Sequence, residues 1–88
     1  MSYFVYILEC NDKTLYTGIA KDVNKRLNEH NDSDKGAKYT KARRPVKLLY
    51  FEKIGSRSNA CKREYFIKQL TRERKLELIN ASSQIFTK

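Results

Sequence analysis

Between Tyr3 and Cys10 the chain is mostly apolar on both faces of any strand it forms. Phe4, Tyr6, Leu8 and Cys10 point one way, and Tyr3, Val5, Ile7 and Glu9 the other. Such a strand must be covered from two sides, which predicts a central strand with helices over both faces of its sheet. The constraint is tight because a chain of 88 residues has material for one core and no second. With 40% hydrophobic and 33% charged residues, that core can form and disorder is disfavoured.

Asn11, Asp12 and Lys13 read as a turn, and residues 14–20 as the returning strand of a hairpin. Asp22 is a good N-cap for a helix reaching about His30. Val23 and Leu27, four apart, form its expected buried seam, while Arg26 and His30, also four apart, share a different edge. Residues 31–45 read as a long, polar, basic loop, a length more typical of binding loops than of connections. A third strand is expected over residues 46–54, broken by Gly55 and Ser56. Ser56 or Ser58 would then cap a helix reaching Leu70, and Thr71 a short last helix through Ile79, with residues 80–88 as a frayed end. The order strand, strand, helix, strand, helix, helix predicts an α+β fold with a small sheet. The expected division is one domain over residues 1–80 and a C-terminal tail over 81–88.

The net charge of +9 is unevenly spread. Residues 1–34 hold four Lys/Arg against six Asp/Glu, whereas residues 35–75 hold fourteen against three. A basic block of this kind suits a polyanion, because cations set along a phosphate backbone release its condensed counterions. The plainer alternative is a solvated surface that keeps the protein soluble. Cys10 and Cys61 have no CxxC spacing and no histidine cluster, which argues against zinc and for two buried free thiols in a reducing compartment. The first strand begins at once, so no signal peptide is expected. The longest apolar run, residues 3–8, is far too short to span a bilayer. A cytoplasmic or nucleoid-associated protein with no membrane partner is the expectation.

Phe4-Val5-Tyr6, Tyr16-Thr17-Gly18, Arg26 with His30 on the first helix, and Glu64 within Lys62-Arg63-Glu64-Tyr65 follow one another in order. This order resembles the GIY-YIG endonuclease family, from about Tyr3 to Ile79. Phe4-Val5-Tyr6 stands where the family has Gly-Ile-Tyr, and Tyr16-Thr17-Gly18 where it has Tyr-Ile-Gly. The stretch from Gly36 to Pro45 is similar to that of small stand-alone members. The resemblance implies a three-stranded antiparallel sheet flanked by helices. It also implies that Tyr6 is the general base for the attacking water, that Arg26 steadies the pentacovalent transition state, and that Glu64 is the single protein ligand of Mg²⁺ or Mn²⁺.

Read as residues alone, each candidate has a second account. Tyr6 is equally a core tyrosine, and Tyr16 either orients a water or phosphate oxygen or packs across the hairpin. Gly18 shares the face of Tyr16 and either admits a close neighbour or marks a bulge. A guanidinium such as Arg26 offers a planar fork for phosphate oxygens, or is simply solvated. His30 is placed to bond a phosphate oxygen, assist Tyr6, or protonate the leaving oxygen. Glu64 neighbours the apolar stripe of its helix, where a carboxylate calls for a metal or a cation such as Arg26. Lys38, Tyr39, Lys41, Arg43 and Arg44 are the nucleic-acid-binding candidates, with Tyr39 available to stack on a base and Pro45 stiffening the exit.

The leading expectation is a metal-dependent endonuclease, monomer or weak dimer, that hydrolyses DNA phosphodiesters, in a setting such as repair or recombination. The alternative is a non-catalytic nucleic-acid-binding module of the same fold. A third reading is an accessory subunit whose basic surface docks on an acidic protein.

Overall fold

β1 (Tyr3–Glu9) lies between β2 (Leu15–Ala20) and β3 (Lys47–Gly55), antiparallel to both, as expected of a strand apolar on two faces. A computed structural model describes residues 2–86 of the chain. The remaining elements are helices α1 (Val23–Asp32), α2 (Lys38–Lys41), α3 (Arg57–Gln69) and α4 (Arg72–Phe86). Tyr6 is paired with Gly18 on one side and Phe51 on the other, and Ile7 with Thr17 and Tyr50. Successive residues thus feed separate cores. Val5 and Ile7 pack with Tyr50, and with Ala60 and Ile67 of α3 and Ile79 of α4. Tyr6, Leu8 and Cys10 pack with Val46, and with Val23 and Leu27 of α1.

Asp22 caps α1 by accepting the Lys25 N–H at 3.0 Å. The buried seam of α1 differs from expectation. Val23, Leu27 and His30 stand at i, i+4 and i+7, so His30 completes the inward stripe and is the one fully buried member of the helix. Ser56 is the residue that caps α3, accepting the Asn59 N–H at 3.2 Å, and Thr71 does the same for α4 through Arg74 at 3.2 Å.

Residues 31–45 are more ordered than a loop. Asp32 still belongs to α1, and Lys38–Lys41 form a single helical turn that buries Thr40 completely. Gly36 makes the docking possible, because a Cβ there would lie 2.6 Å from the Glu29 carbonyl oxygen and 2.8 Å from the His30 Cα. Arg44 then closes the unit. Its guanidinium donates to the carbonyls of His30 and Ser33, each at 2.6 Å, and more distantly to Glu29, satisfying acceptors that the end of α1 leaves open.

β3 is displaced by one residue from its expected span and ends at Gly55, whose φ of 112° is the kind of backbone that glycine tolerates. α4 passes Ile79 and runs to Phe86, so the expected frayed end is helical over residues 80–86. The chain has neither Gly nor Pro beyond Gly55, so nothing local stops that helix. Residues 87 and 88 lie outside the described residues. Cys10 is buried, and burial raises its thiol pKa, but Cys61 is only half-buried, against the expectation of two buried thiols.

On the α3 side of the sheet, Glu52 accepts from the Arg63 guanidinium at 2.5 Å and from the Tyr50 hydroxyl. Burial, and then the neighbouring carboxylate, push Tyr50 up to about 12. Thr17, on the same face and 3% exposed, has a buried hydroxyl with no hydrogen-bond partner among the described residues.

Candidate active site

The Tyr6 ring lies across the neighbouring strand. A Cβ on Gly18 would come within 2.5 Å of the phenolic oxygen, so glycine is what lets one strand's phenol cross the next. Tyr16, two residues before Gly18, shares that face of β2. The end of α1 brings His30 Nε2 to 2.8 Å from the Tyr6 oxygen. On the other side of the imidazole, Nδ1 receives the Ala37 backbone N–H at 3.3 Å. The Thr40 hydroxyl donates to the Ala37 carbonyl at 2.8 Å and lies 2.9 Å from Nδ1. With Nδ1 bare, Nε2–H donates to Tyr6; with the ring proton on Nδ1 and given to Thr40, the Tyr6 hydroxyl donates to Nε2.

Burial, reinforced by the charges of Arg26 and Arg44, pushes His30 down to about 4. Burial also pushes Tyr6 up to about 12, helped by Tyr16 and opposed by the Arg26 guanidinium. The charge of Glu64 acts on the same phenol and raises it further. Burial outweighs Arg26 here, so the resting phenol keeps its proton at neutral pH.

Arg26 is half-buried, and its well-formed hydrogen bonds go to Glu29 at 3.0 Å and to the Lys35 carbonyl at 2.7 Å. Tyr16 packs edge-on against His30, centroids 5.2 Å apart, and stacks on Tyr39 at 6.0 Å. The Arg43 guanidinium lies 3.8 Å over the Tyr39 ring and pairs with Asp12 of the hairpin turn at 3.0 Å. Glu64 comes from α3, which packs on β1 and β2, and its side chain is 22% exposed. Its ionic partner is Lys68, one turn along at 3.4 Å, and the alternative pairing with Arg26 is not the one formed.

Tyr16, Arg26, His30 and Glu64, drawn from β2, α1 and α3, thus all bear on the Tyr6 phenol of β1. The family of GIY-YIG catalytic domains matches residues 2–77. The chain belongs to the GIY-YIG family. It is 54% identical over 86 residues to a UPF0213 protein of Desulfotalea psychrophila, covering 98% of this chain and 78% of that protein. A UPF0213 protein of Staphylococcus epidermidis is 60% identical over 77 residues, covering 88% and 93%. The solution NMR structure of a protein from E. faecalis aligns with a TM-score of 0.65 at 38% identity, over 96% of this chain and 88% of that one. The expected three-stranded α+β fold is the one found, and the first two of these relatives bear the name UPF0213 protein.

Within this GIY-YIG domain, Glu64 suits a hard divalent cation. It offers one partly buried carboxylate with solvent beside it, and Mg²⁺ favours one or two carboxylates with water completing the shell. Among the described residues no group of three or more His, Cys, Asp or Glu forms a cage, so zinc-type coordination has no ligand set.

Several expected roles change. His30 is 0% exposed with both nitrogens engaged, so in this arrangement its ring has no edge open to a phosphate or a leaving oxygen. Arg44 is turned inward onto the end of α1 rather than out toward a ligand. Tyr39, 38% exposed, already has Arg43 over its ring and Tyr16 stacked against it, so the base-stacking surface expected of it is occupied from within. Arg43 is likewise tied to Tyr39 and Asp12. Lys38 and Lys41 remain exposed on α2. Thr40 and the Ala37 N–H, which orient His30, had no mark in the sequence, because neither belongs to an apolar period nor to a charge cluster.

Among the described residues no helix is long and apolar enough to cross a membrane.

Proposed function

We propose that this GIY-YIG domain hydrolyses DNA phosphodiesters with the help of Mg²⁺ or Mn²⁺ at Glu64. The observation that carries the reading is the company of the Tyr6 phenol: Tyr16, Arg26, His30 and Glu64 all bear on it. Tyr6 and Tyr16 hold the attacking water between them. In the reacting form the Tyr6 phenol has given its proton to solvent, a loss opposed by burial and favoured by Arg26. His30, in the tautomer with Nε2–H, donates to the phenolate; the phenolate takes a proton from the attacking water as that water's oxygen bonds to phosphorus, and solvent protonates the departing oxygen. The Arg26 guanidinium, anchored by Glu29 and Lys35, offers positive charge to the pentacovalent phosphate. A divalent cation at Glu64 supplies Lewis-acid neutralisation of phosphate charge. His30, Thr40 and Gly18 are positioning residues in this account.

The test is cleavage of branched, flapped and single-stranded DNA in Mg²⁺ or Mn²⁺. Glu64→Ala and Arg26→Ala are expected to lower the rate by at least ~10²-fold, the scale of losing a transition-state charge partner. A folded Glu64→Ala protein that cuts as well as the parent overturns the reading. One observation favours the non-catalytic alternative, namely that burial holds Tyr6 up at about 12. That alternative requires salt-sensitive binding with no product under any metal.

A further inference from the structure

α1 is only 10 residues long and leaves part of the sheet uncovered on the face that carries Tyr6. There a groove of about 740 Å³ remains, with Phe4, Leu48 and Phe51 in its wall and Lys21 and Lys53 at its margins. That volume falls within the ~300–1,000 Å³ typical of small-molecule sites. The Phe4 and Phe51 rings meet edge to face at 6.1 Å, and Phe51 is 44% exposed. Phe51 is also the strand partner of Tyr6, so the groove begins one strand away from the candidate catalytic phenol. Lys21 and Asp22 line both this groove and the cleft that contains Arg26, which sets the two side by side around the first turn of α1. The Asp22 carboxylate is engaged in capping that helix. Neither lysine is in an ion pair among the described residues, although Lys21 also lies 5.4 Å over the Tyr3 ring.

From this arrangement we infer that the groove receives an unpaired nucleobase of the bound strand, stacked on Phe51, with the flanking phosphates against Lys21 and Lys53. The inference rests on the nuclease reading and adds a substrate class to it, a strand with at least one unstacked base near the cut. Apolar aromatic faces bordered by cations match a base between phosphates, since every base has a π-face and every link a negative charge. A base within a paired stack has both faces covered and cannot lie on a side chain. Tyr39, the aromatic that the sequence offers for this purpose, is occupied by Arg43 and Tyr16. Tyr65 and Phe66 are more exposed but belong to α3, which packs on the Val5 and Ile7 face of the sheet, so Phe51 is the open ring on the face of the groove.

The test is fluorescence anisotropy in EDTA, where nothing is cut, comparing a duplex with a single-stranded tail against the same duplex blunt-ended. Phe51→Ala is expected to weaken binding of the tailed duplex by about 10- to 100-fold, with Phe51→Tyr retaining it and the blunt duplex unaffected. Lys53→Ala should reduce the salt slope of tailed binding by about one. The inference is overturned if folded Phe51→Ala binds the tail like the parent, if it loses both ligands equally, or if sedimentation shows that the substitution instead dissolves a dimer seated on this face. Because binding is read without cleavage, the two readings can fail separately. Phe51-dependent tail binding by a protein that never cuts keeps the groove and ends the nuclease. Cutting with no dependence on Phe51 ends the groove and keeps the nuclease.

Discussion

Burial keeps His30 uncharged, and this ties the candidate site to acid stability. In the folded chain His30 titrates at about 4, whereas in the unfolded chain it titrates at ~6.5. Between those values the unfolded chain binds more protons, so stability rises with pH. The contribution of neutral His30 is complete above ~6.5 and falls toward pH 4 by up to ~1.4 kcal/mol per pH unit. Urea unfolding at neutral pH and at mild acidity should show that slope in the parent and a shallower one in His30→Asn. Equal slopes would remove His30 as the cause. At Thr17 the orphaned hydroxyl beneath α3 predicts a gain instead. Thr17→Val, close in shape, should raise the unfolding free energy by ~1 kcal/mol or more, because an unsatisfied buried hydroxyl costs about that much. A thermal midpoint below the parent's would show that the hydroxyl has a use. At this scale the sequence announced chemistry and hid support. Two phenols, a guanidinium, an imidazole and a carboxylate stand out by residue type. The groups that orient them, Ala37 N–H and Thr40, are ordinary residues whose importance arises only from contact across ten positions or fewer of folded chain.

Among the elements, the turn of chain between α1 and β3 has divided its cations between two tasks. Arg44 faces the carbonyls at the end of α1, while Lys41 stands exposed on α2. Arg44→Met keeps much of the apolar stem and removes the donors, so it should lower stability by about 1.5–3 kcal/mol, the range for hydrogen bonds from a charged group. Lys41→Met should leave the thermal midpoint unchanged and weaken nucleic-acid binding. If the effects are reversed, the division is wrong. Sequence alone cannot make this distinction, since Lys41 and Arg44 stand three positions apart in one basic run. Strand and helix order, by contrast, was readable almost throughout. The two-sided apolar run made β1 central, and Asp22, Ser56 and Thr71 marked helix starts by their side-chain oxygens. Elements that lacked such marks were missed. α2 is one turn long with no side-chain cap, and the end of α4 has no stop residue to read.

For the molecule as a whole, a net charge of +9 overstates the cations available to a ligand. Arg43 is paired with Asp12, Arg63 with Glu52, and Arg44 is turned onto α1. Binding to duplex DNA should therefore weaken with salt along a log–log slope of about −3 to −5, corresponding to ~3–6 neutralised phosphates rather than every basic residue. A slope near zero would deny the polyanion partner, and one near −10 would mean that the inward arginines are released on binding. Composition pointed to a polyanion as partner class, but the groove on one sheet face was not legible, because periodicity says which residues point together and not how far a covering helix extends. That uncovered face has a practical side. Ser2 lies in the groove wall beside Phe4, so any purification tag fused ahead of it would hang over the groove mouth and compete with whatever enters. The handle belongs at the other end of the chain, and a loss of affinity seen only with N-terminally tagged protein would itself report on that opening.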